Sequence, residues 1–70
     1  MRRERVRSSS VAYVGYDEAK HVLEIEFHNG NVYRYQDVPA AVYRLLLQAR
    51  SIGDFVNTIV KPKFEVIRGE

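Results

Sequence analysis

The feature that most constrains the fold is a strict alternation of apolar and polar residues that runs directly into a turn. Residues 23–28 read Leu-Glu-Ile-Glu-Phe-His, and Asn29-Gly30 completes the turn. Alternation with a period of two is typical of a β-strand with one buried face, and Asn-Gly is a strong hairpin signal. A second strand-like run, residues 31–37, comes next. The sequence therefore predicts a β-hairpin whose apolar face must be covered by other elements.

The number of residues in the hairpin loop decides which face of the second strand is buried. A slip of one residue exchanges the two faces of a strand. A two-residue loop, Asn29-Gly30, would pair His28 with Asn31 and place Arg34 beside Ile25 on the apolar face. That register would bury a guanidinium group among apolar side chains, which is costly unless the charge is paired.

A three-residue loop, residues 28–30, has its glycine in the left-handed region and pairs Phe27 with Asn31. Arg34 then lies opposite Glu24, and opposite charges across two strands contribute roughly 0.2–1 kcal/mol. We predict this register. It also places Tyr33 opposite Ile25 and Tyr35 opposite Leu23, on the apolar side of the hairpin. Core packing and a ligand-facing role both remain open for the two tyrosine rings.

A helix is predicted after the hairpin, because Pro39 suits the first turn of a helix. Apolar residues then recur at helical spacing, and the expected buried stripe is Val42, Leu45, Leu46 and Ala49. Ser51 is a candidate cap for a short second helix, which Lys61-Pro62 would end. That second helix is expected to turn Phe55, Ile59 and Ile52 inward.

Together these elements predict an α+β fold. Its order is a three-stranded antiparallel meander that starts at residues 11–16, a helix, a short second helix and a C-terminal extended segment at residues 64–67 (β-β-β-α-α-β). Residues 1–7 lack hydrophobic periodicity and are predicted to be a flexible, arginine-rich N-terminal arm, with residues 8–70 forming a single domain. Such arms bind phosphates in several nucleic-acid readers, and a solubilising terminus is the alternative.

Composition excludes several classes of function. The chain has 70 residues and no cysteine, so we expect one small domain without a disulfide or a thiolate metal site. Its apolar runs, such as residues 45–47, are far too short to span a membrane. Glu24 and Glu26 are expected to form a solvated or ion-paired face, and His21 and His28 lack further ligands at metal-binding spacing. We expect a soluble, cytoplasmic protein that binds no metal and no cofactor.

Several short motifs follow one another at fixed spacing. They are Tyr33-Arg34-Tyr35, Val38-Pro39, Val42-Tyr43 and then Ser51, Gly53, Phe55, Asn57 and Ile59. As an ordered set they resemble the KTSC family, which is named for the C-terminal extension of some lysyl-tRNA synthetases. The resemblance spans about residues 8–67. It departs from the family pattern at Val60, where members often carry a basic residue; here Lys61 and Lys63 follow instead.

The resemblance implies a small binding module for which RNA is the usual suggestion, and no residue pattern supports enzyme activity. We therefore predict a non-enzymatic module that binds structured RNA; the alternative is a protein–protein interaction or homodimerisation module. Basic side chains neutralise phosphates, and an aromatic ring that stacks on a base contributes roughly 1–3 kcal/mol. The candidate nucleic-acid-binding residues are Arg3, Arg5, Arg7, Tyr33, Arg34, Tyr35, Arg44, Arg50, Lys61 and Lys63.

Overall fold

Four antiparallel strands form the sheet in the computed structural model, which describes residues 2–67 without the side chain of Arg2. The strands are β1 (Arg2–Arg5), β2 (Val11–Asp17), β3 (Val22–Phe27) and β4 (Val32–Tyr35), adjacent in chain order. The predicted α+β class is confirmed. The predicted three-stranded meander is one strand short, because the segment expected to be a flexible arm supplies β1.

The hairpin of β3 and β4 has the predicted three-residue loop. Glu24 lies opposite Arg34, and Ile25 lies opposite Tyr33. The Phe27 N–H donates to the Asn31 carbonyl at 2.9 Å, and the N–H of the loop glycine donates to the Phe27 carbonyl at 2.9 Å. That glycine, Gly30, has a φ of +92°, in the region where glycine pays no steric cost. The predicted register is therefore confirmed.

Strand β1 could not be predicted from hydrophobic periodicity, because Arg2–Arg5 consists entirely of charged residues. Its pairing with β2 sets Arg3 opposite Gly15 and Arg5 opposite Tyr13. Backbone hydrogen bonds of the sheet and ion pairs of Arg3 hold the strand in place. The division at residue 7 and the mobility of residues 1–7 stay predictions.

Two helical segments cover one face of the sheet. Helix α1 (Ala40–Gln48) begins directly after Pro39, and the second segment runs through α2 (Ile52–Phe55), a π-helical turn (Val56–Val60) and α3 (Lys61–Lys63). The Ser51 hydroxyl accepts the Asp54 N–H at 3.3 Å, which confirms the predicted cap.

The second helical segment does not end at Lys61-Pro62 as predicted, since α3 contains both residues. Proline lacks an N–H, and its ring clashes with the carbonyl four residues earlier in a regular α-helix. The wider turn before it, in which the Lys61 N–H bonds to the Val56 carbonyl, relieves this conflict. The chain therefore passes through the proline without breaking.

The core lies between the sheet and these helices. Its fully buried side chains include Leu23 and Ile25 from the sheet and Leu46 from α1. The prediction for α1 is wrong at Leu45, which is 57% exposed, because Val42 and Leu46 lie one turn apart on the face that packs inward. In the second segment Ile52 is buried as predicted, whereas Phe55 and Ile59, which were also expected to turn inward, are only half-buried. The fully buried side chains there are Val56 and Val60.

The C-terminal extended segment lies along the outer edge of β4, as an isolated bridge rather than a full strand. Val66 pairs antiparallel with Tyr35. The Gln36 N–H donates to the Glu65 carbonyl at 3.0 Å, and the Ile67 N–H donates to the Arg34 carbonyl at 2.7 Å. Within residues 2–67, no helix has the length and apolar composition needed to cross a membrane.

Candidate functional site

The face of the sheet that the helices do not cover carries a row of charged side chains. We call this surface, defined by Arg3, Glu24, Glu26 and Arg34, the open sheet face. Strand pairing sets Arg3 opposite Gly15, Gly15 opposite Glu24, and Glu24 opposite Arg34. Because Gly15 has no side chain, the Arg3 guanidinium reaches across β2 to the Glu24 carboxylate, with Nε 2.6 Å from Oε2.

Glu24 is the central charge of the open sheet face. One oxygen of its carboxylate binds Arg3, and the other binds Arg34, with Arg34 Nε 3.0 Å from Oε1. Only 5% of the residue is exposed. Burial by itself raises the pKa of Glu24, but the hydrogen bonds and charges of the two guanidinium groups outweigh it, so the pKa lies below its ordinary value. Arg3 also binds Glu26, at 2.6 Å. The arginines of this face are thus matched by carboxylates.

The two tyrosines of β4 have different environments. Tyr35 is 3% exposed and belongs to the core, and burial raises the pKa of its hydroxyl. Tyr33 is 38% exposed and packs edge-to-face on Phe27, with ring centres 5.6 Å apart. The Lys61 ammonium lies 5.5 Å from the centre of the same Phe27 ring. Tyr33 is therefore the tyrosine of this pair that can present a ring surface to a ligand, with a cation close by.

A second basic surface lies at the end of the sheet where β2 begins. A cleft of about 380 Å³ opens there between the loop Ser8–Ser10 and the start of α2, and both Arg7 and Arg50 line it. A neighbouring cleft shares Arg7 and adds Arg5 and His28. We call this surface, defined by Arg5, Arg7, Ser8–Ser10, His28, Arg50, Ser51, Gly53, Asp54 and Asn57, the serine-loop end.

Hydrogen bonds hold the serine loop in one conformation. The Ser8 hydroxyl accepts the N–H groups of Ser10, at 3.2 Å, and of Val11, at 3.1 Å. Nε2 of His28 lies 2.9 Å from the Ser8 carbonyl, so the hairpin loop is tied to the serine loop. A Cβ added at Gly53 would lie 2.5 Å from the Ser10 hydroxyl oxygen, so glycine lets the loop pack against the start of α2.

Arg44 lies apart from the serine-loop end. It lines a shallow cleft with Tyr16 and Tyr43, whose rings stack with centres 5.2 Å apart, and the Tyr16 hydroxyl donates to the Val38 carbonyl at 2.5 Å. Tyr16 is near the last residue of β2, whereas the serine loop precedes the first. The rise of roughly 3.3 Å per strand residue separates these two ends by most of the sheet.

The structure brings together only part of the predicted residue set. Arg5, Arg7 and Arg50 meet at the serine-loop end, and Tyr33 and Lys61 meet around Phe27. The other members lie elsewhere: Arg3 and Arg34 on the open sheet face, Tyr35 in the core, Arg44 at the far end of β2 and Lys63 exposed in α3. The role of each residue in binding stays a prediction.

Sequence reasoning missed the serines, Gly53 and Asn57 as parts of a surface. The available signal was a repeated pattern, since Arg7 precedes three serines and Arg50 precedes Ser51. Two arginines followed by small polar residues become neighbours only through the fold. Within the part of the chain that the structure describes, no group of three or more His, Cys, Asp or Glu side chains is placed to hold a metal ion.

The comparisons with known proteins agree with this architecture. The family model of the KTSC domain matches residues 7–64. The chain belongs to the KTSC domain family. A crystal structure of a KTSC domain protein from Yersinia pestis superposes with a TM-score of 0.91 at 32% identity, covering 99% of this chain and 97% of that chain.

Two sequence relatives show the contexts in which the domain occurs. An uncharacterised protein of Stutzerimonas stutzeri is 43% identical over 63 residues, which span 90% of this chain and 89% of the relative. A lysine–tRNA ligase of Nostoc punctiforme is 37% identical over 57 residues, which span 81% of this chain but 10% of the ligase. A sequence similar to this chain thus makes up most of the first relative and about a tenth of the second.

Proposed function

We propose that this KTSC domain is a non-enzymatic module that binds structured RNA through the serine-loop end. The observation that carries the proposal is the cluster of Arg5, Arg7 and Arg50 around two adjoining clefts. Backbone phosphates dominate the affinity of proteins for nucleic acids, and guanidinium groups bind them with paired hydrogen bonds.

The availability of these arginines supports the proposal. Within residues 2–67, the ion pairs of the protein involve Arg3 and Arg34, not the arginines of the serine-loop end. An arginine that already binds a carboxylate must give up that partner before it binds a phosphate, which reduces the net gain. Arg5, Arg7 and Arg50 are exposed, and none of the carboxylates that the structure describes forms an ion pair with them.

The exposed aromatic ring of Tyr33 supports RNA in particular. Proteins recognise RNA largely through unpaired bases that stack on aromatic side chains. Lys61 lies beside the same aromatic pair and would meet the phosphate next to a stacked base. The similarity to part of a lysine–tRNA ligase makes tRNA the natural first probe.

The test is a titration of the purified protein with tRNA at about 50 and about 200 mM salt. We expect the logarithm of the binding constant to fall with the logarithm of the salt concentration at a slope of about −3, as expected when three to four phosphates are engaged. The R7Q/R50Q variant should bind at least about tenfold more weakly at low salt, because charge-assisted hydrogen bonds to two phosphates are lost.

Arg44→Gln is the matched control, since it removes an exposed arginine at the far end of β2. It should bind tRNA within about twofold of the wild type, because a charge beyond a Debye length contributes little. Absence of tRNA binding at low salt, in a protein that is folded by circular dichroism, would refute the proposal.

A second candidate function is pairing with another protein chain. Within residues 2–67 no strand lies beside the outer edge of β1, and a free edge is a template for strand addition. Sedimentation across a concentration series tests the homodimer version. A monomer at every concentration would exclude it.

A further inference from the structure

We infer that the cleft between Arg7 and Arg50 is a site for a single phosphate group. Arg7 comes from the segment after β1, and Arg50 comes from the loop after α1, so the two cations reach the cleft from different elements. The serines at positions 9 and 10 and Asn57 also line it, and their side chains supply neutral hydrogen-bond donors.

The donor set fits a phosphate better than it fits a neutral or cationic ligand. The charged groups that line the cleft are Arg7, Arg50 and Asp54, so arginine exceeds aspartate by one. Guanidinium groups and hydroxyls together match the oxygens of a tetrahedral anion. The backbone N–H of Asp54 already donates to the Ser51 hydroxyl, so we expect the side chains of the cleft to bind the phosphate.

The site is held in shape by its supporting contacts. The Ser8 hydroxyl accepts two backbone N–H groups, and the Ser8 carbonyl lies within hydrogen-bond distance of His28. The Ser10 hydroxyl packs against Gly53, in the space that a Cβ would fill. A loop that is fixed before binding loses little freedom when a ligand arrives. The inference rests on the proposed function only for the source of the phosphate, and the experiment separates the two.

The test is a titration of the wild-type protein with inorganic phosphate at constant ionic strength, followed through backbone amide NMR signals. We expect saturable shifts concentrated at Ser9, Ser10, Gly53 and Asn57. In R7Q/R50Q the phosphate affinity should fall at least about tenfold, since two charge-assisted contacts are removed. Arg44→Gln is the control and should titrate like the wild type.

A second variant acts in the opposite direction. Asp54→Asn removes the negative charge that lines the cleft. It should raise phosphate affinity by about two- to fivefold, because like charges a few ångströms apart repel even at high dielectric. Small shifts spread over the whole protein, or cleft shifts that persist unchanged in R7Q/R50Q, would overturn the inference.

Two further arms identify the source of the phosphate. A short oligoribonucleotide is titrated with and without a 5′-phosphate. Cleft shifts from both forms support a phosphodiester of the RNA backbone, and cleft shifts from the phosphorylated form alone support a terminal phosphate. If tRNA binds while the cleft signals stay silent, the phosphate site is wrong, and RNA binding stands without the use of this cleft. If inorganic phosphate binds in the cleft but tRNA does not bind, the site stands and the proposed function is wrong.

Discussion

The open sheet face and the serine-loop end both display arginines, but they use them in different ways. On the open sheet face, Arg3 and Arg34 both form ion pairs with Glu24, and Arg3 also forms one with Glu26. At the serine-loop end, Arg7 and Arg50 line a cleft with hydroxyl groups and have no ion pair among the described residues. A count of basic residues does not distinguish the two surfaces. The carboxylates do: they bind the arginines of the open sheet face, which therefore stabilise the fold, and they leave the arginines of the serine-loop end available to bind an anion.

The difference also separates stability from binding. The open sheet face fastens β1, the strand without apolar residues, to the rest of the sheet through Glu24. Among residues 2–67 the arginines of the serine-loop end form no ion pair, and the hydrogen bonds of this surface mainly shape the loop. Substitutions on the first surface should therefore change the free energy of unfolding, and substitutions on the second should change affinity for anions.

The largest expected effect comes from Glu24→Gln. The change leaves two guanidinium groups close together without the carboxylate that binds both, and it should lower the free energy of unfolding by about 2 kcal/mol, the scale of a hydrogen bond to a charged group. Urea denaturation measures the effect. Glu26→Gln is the control, with a smaller loss, because Glu26 is less buried and, among the described residues, has one ion pair, with Arg3, instead of two. Equal losses in the two variants would contradict a central role for Glu24.

The pH dependence of stability tests the same carboxylate. The pKa of Glu24 is lower in the folded protein than its ordinary value. Its contribution to stability is therefore complete above the unfolded pKa of about 4.3, and it is lost as the pH falls through the folded pKa. We expect the free energy of unfolding to decrease below about pH 5 more steeply in the wild type than in Glu24→Gln. Parallel pH profiles would show that Glu24 is not the responsible group.

The packing of the serine loop can be tested with a double-mutant cycle. Gly53→Ala places a Cβ against the Ser10 hydroxyl and should cost about 1 kcal/mol through overpacking, offset in part by the better helix propensity of alanine. In the Ser10→Ala background the obstacle is absent, so the same substitution should be neutral or stabilising. Thermal or urea unfolding of the four proteins gives the coupling energy, which we expect to be about 1 kcal/mol. A coupling energy near zero would mean that the two residues do not touch.

The smallest expected effect compares one arginine from each surface. Arg50→Gln should reduce the magnitude of the salt slope for tRNA by about 1, as the loss of one phosphate contact predicts. Arg34→Gln removes the same charge from the open sheet face and should leave the slope unchanged, because its guanidinium is engaged with Glu24. Titrations at several salt concentrations measure both slopes. An equal change of salt slope in the two variants would contradict the proposed difference between the serine-loop end and the open sheet face.

The sequence predicted the central hairpin well because its determinants are local. The turn residues, the alternation and the Glu24–Arg34 pair all favour one register over a one-residue slip, and the structure has that register. Strand β1 was missed because its stabilising partners are distant in sequence: Arg3 reaches Glu24 only across Gly15, which leaves the space open.

The inward face of the second helical segment was predicted only in part, for a different reason. Ile52, Val56 and Val60 follow one another at steps of four and are buried, whereas Phe55 and Ile59 lie one position before Val56 and Val60 and are half-buried. Both series consist of apolar residues spaced by about one helical turn, so periodicity alone does not separate them. The candidate site was predicted in its residue types but not in its assembly, because no local pattern places Arg7 beside Arg50.

The extended segment after α3 has a consequence for how this protein can aggregate. At β4, the carbonyl of Arg34 and the N–H of Gln36 are already occupied by that segment. Backbone direction alternates along a strand, so the main chains of Val32 and Arg34 point outward, and the Arg34 carbonyl is already bonded. Growth of a fibril requires two adhesive edges on every molecule. Within residues 2–67 only the β1 side offers a full edge, so association through strands would stop at a pair instead of propagating.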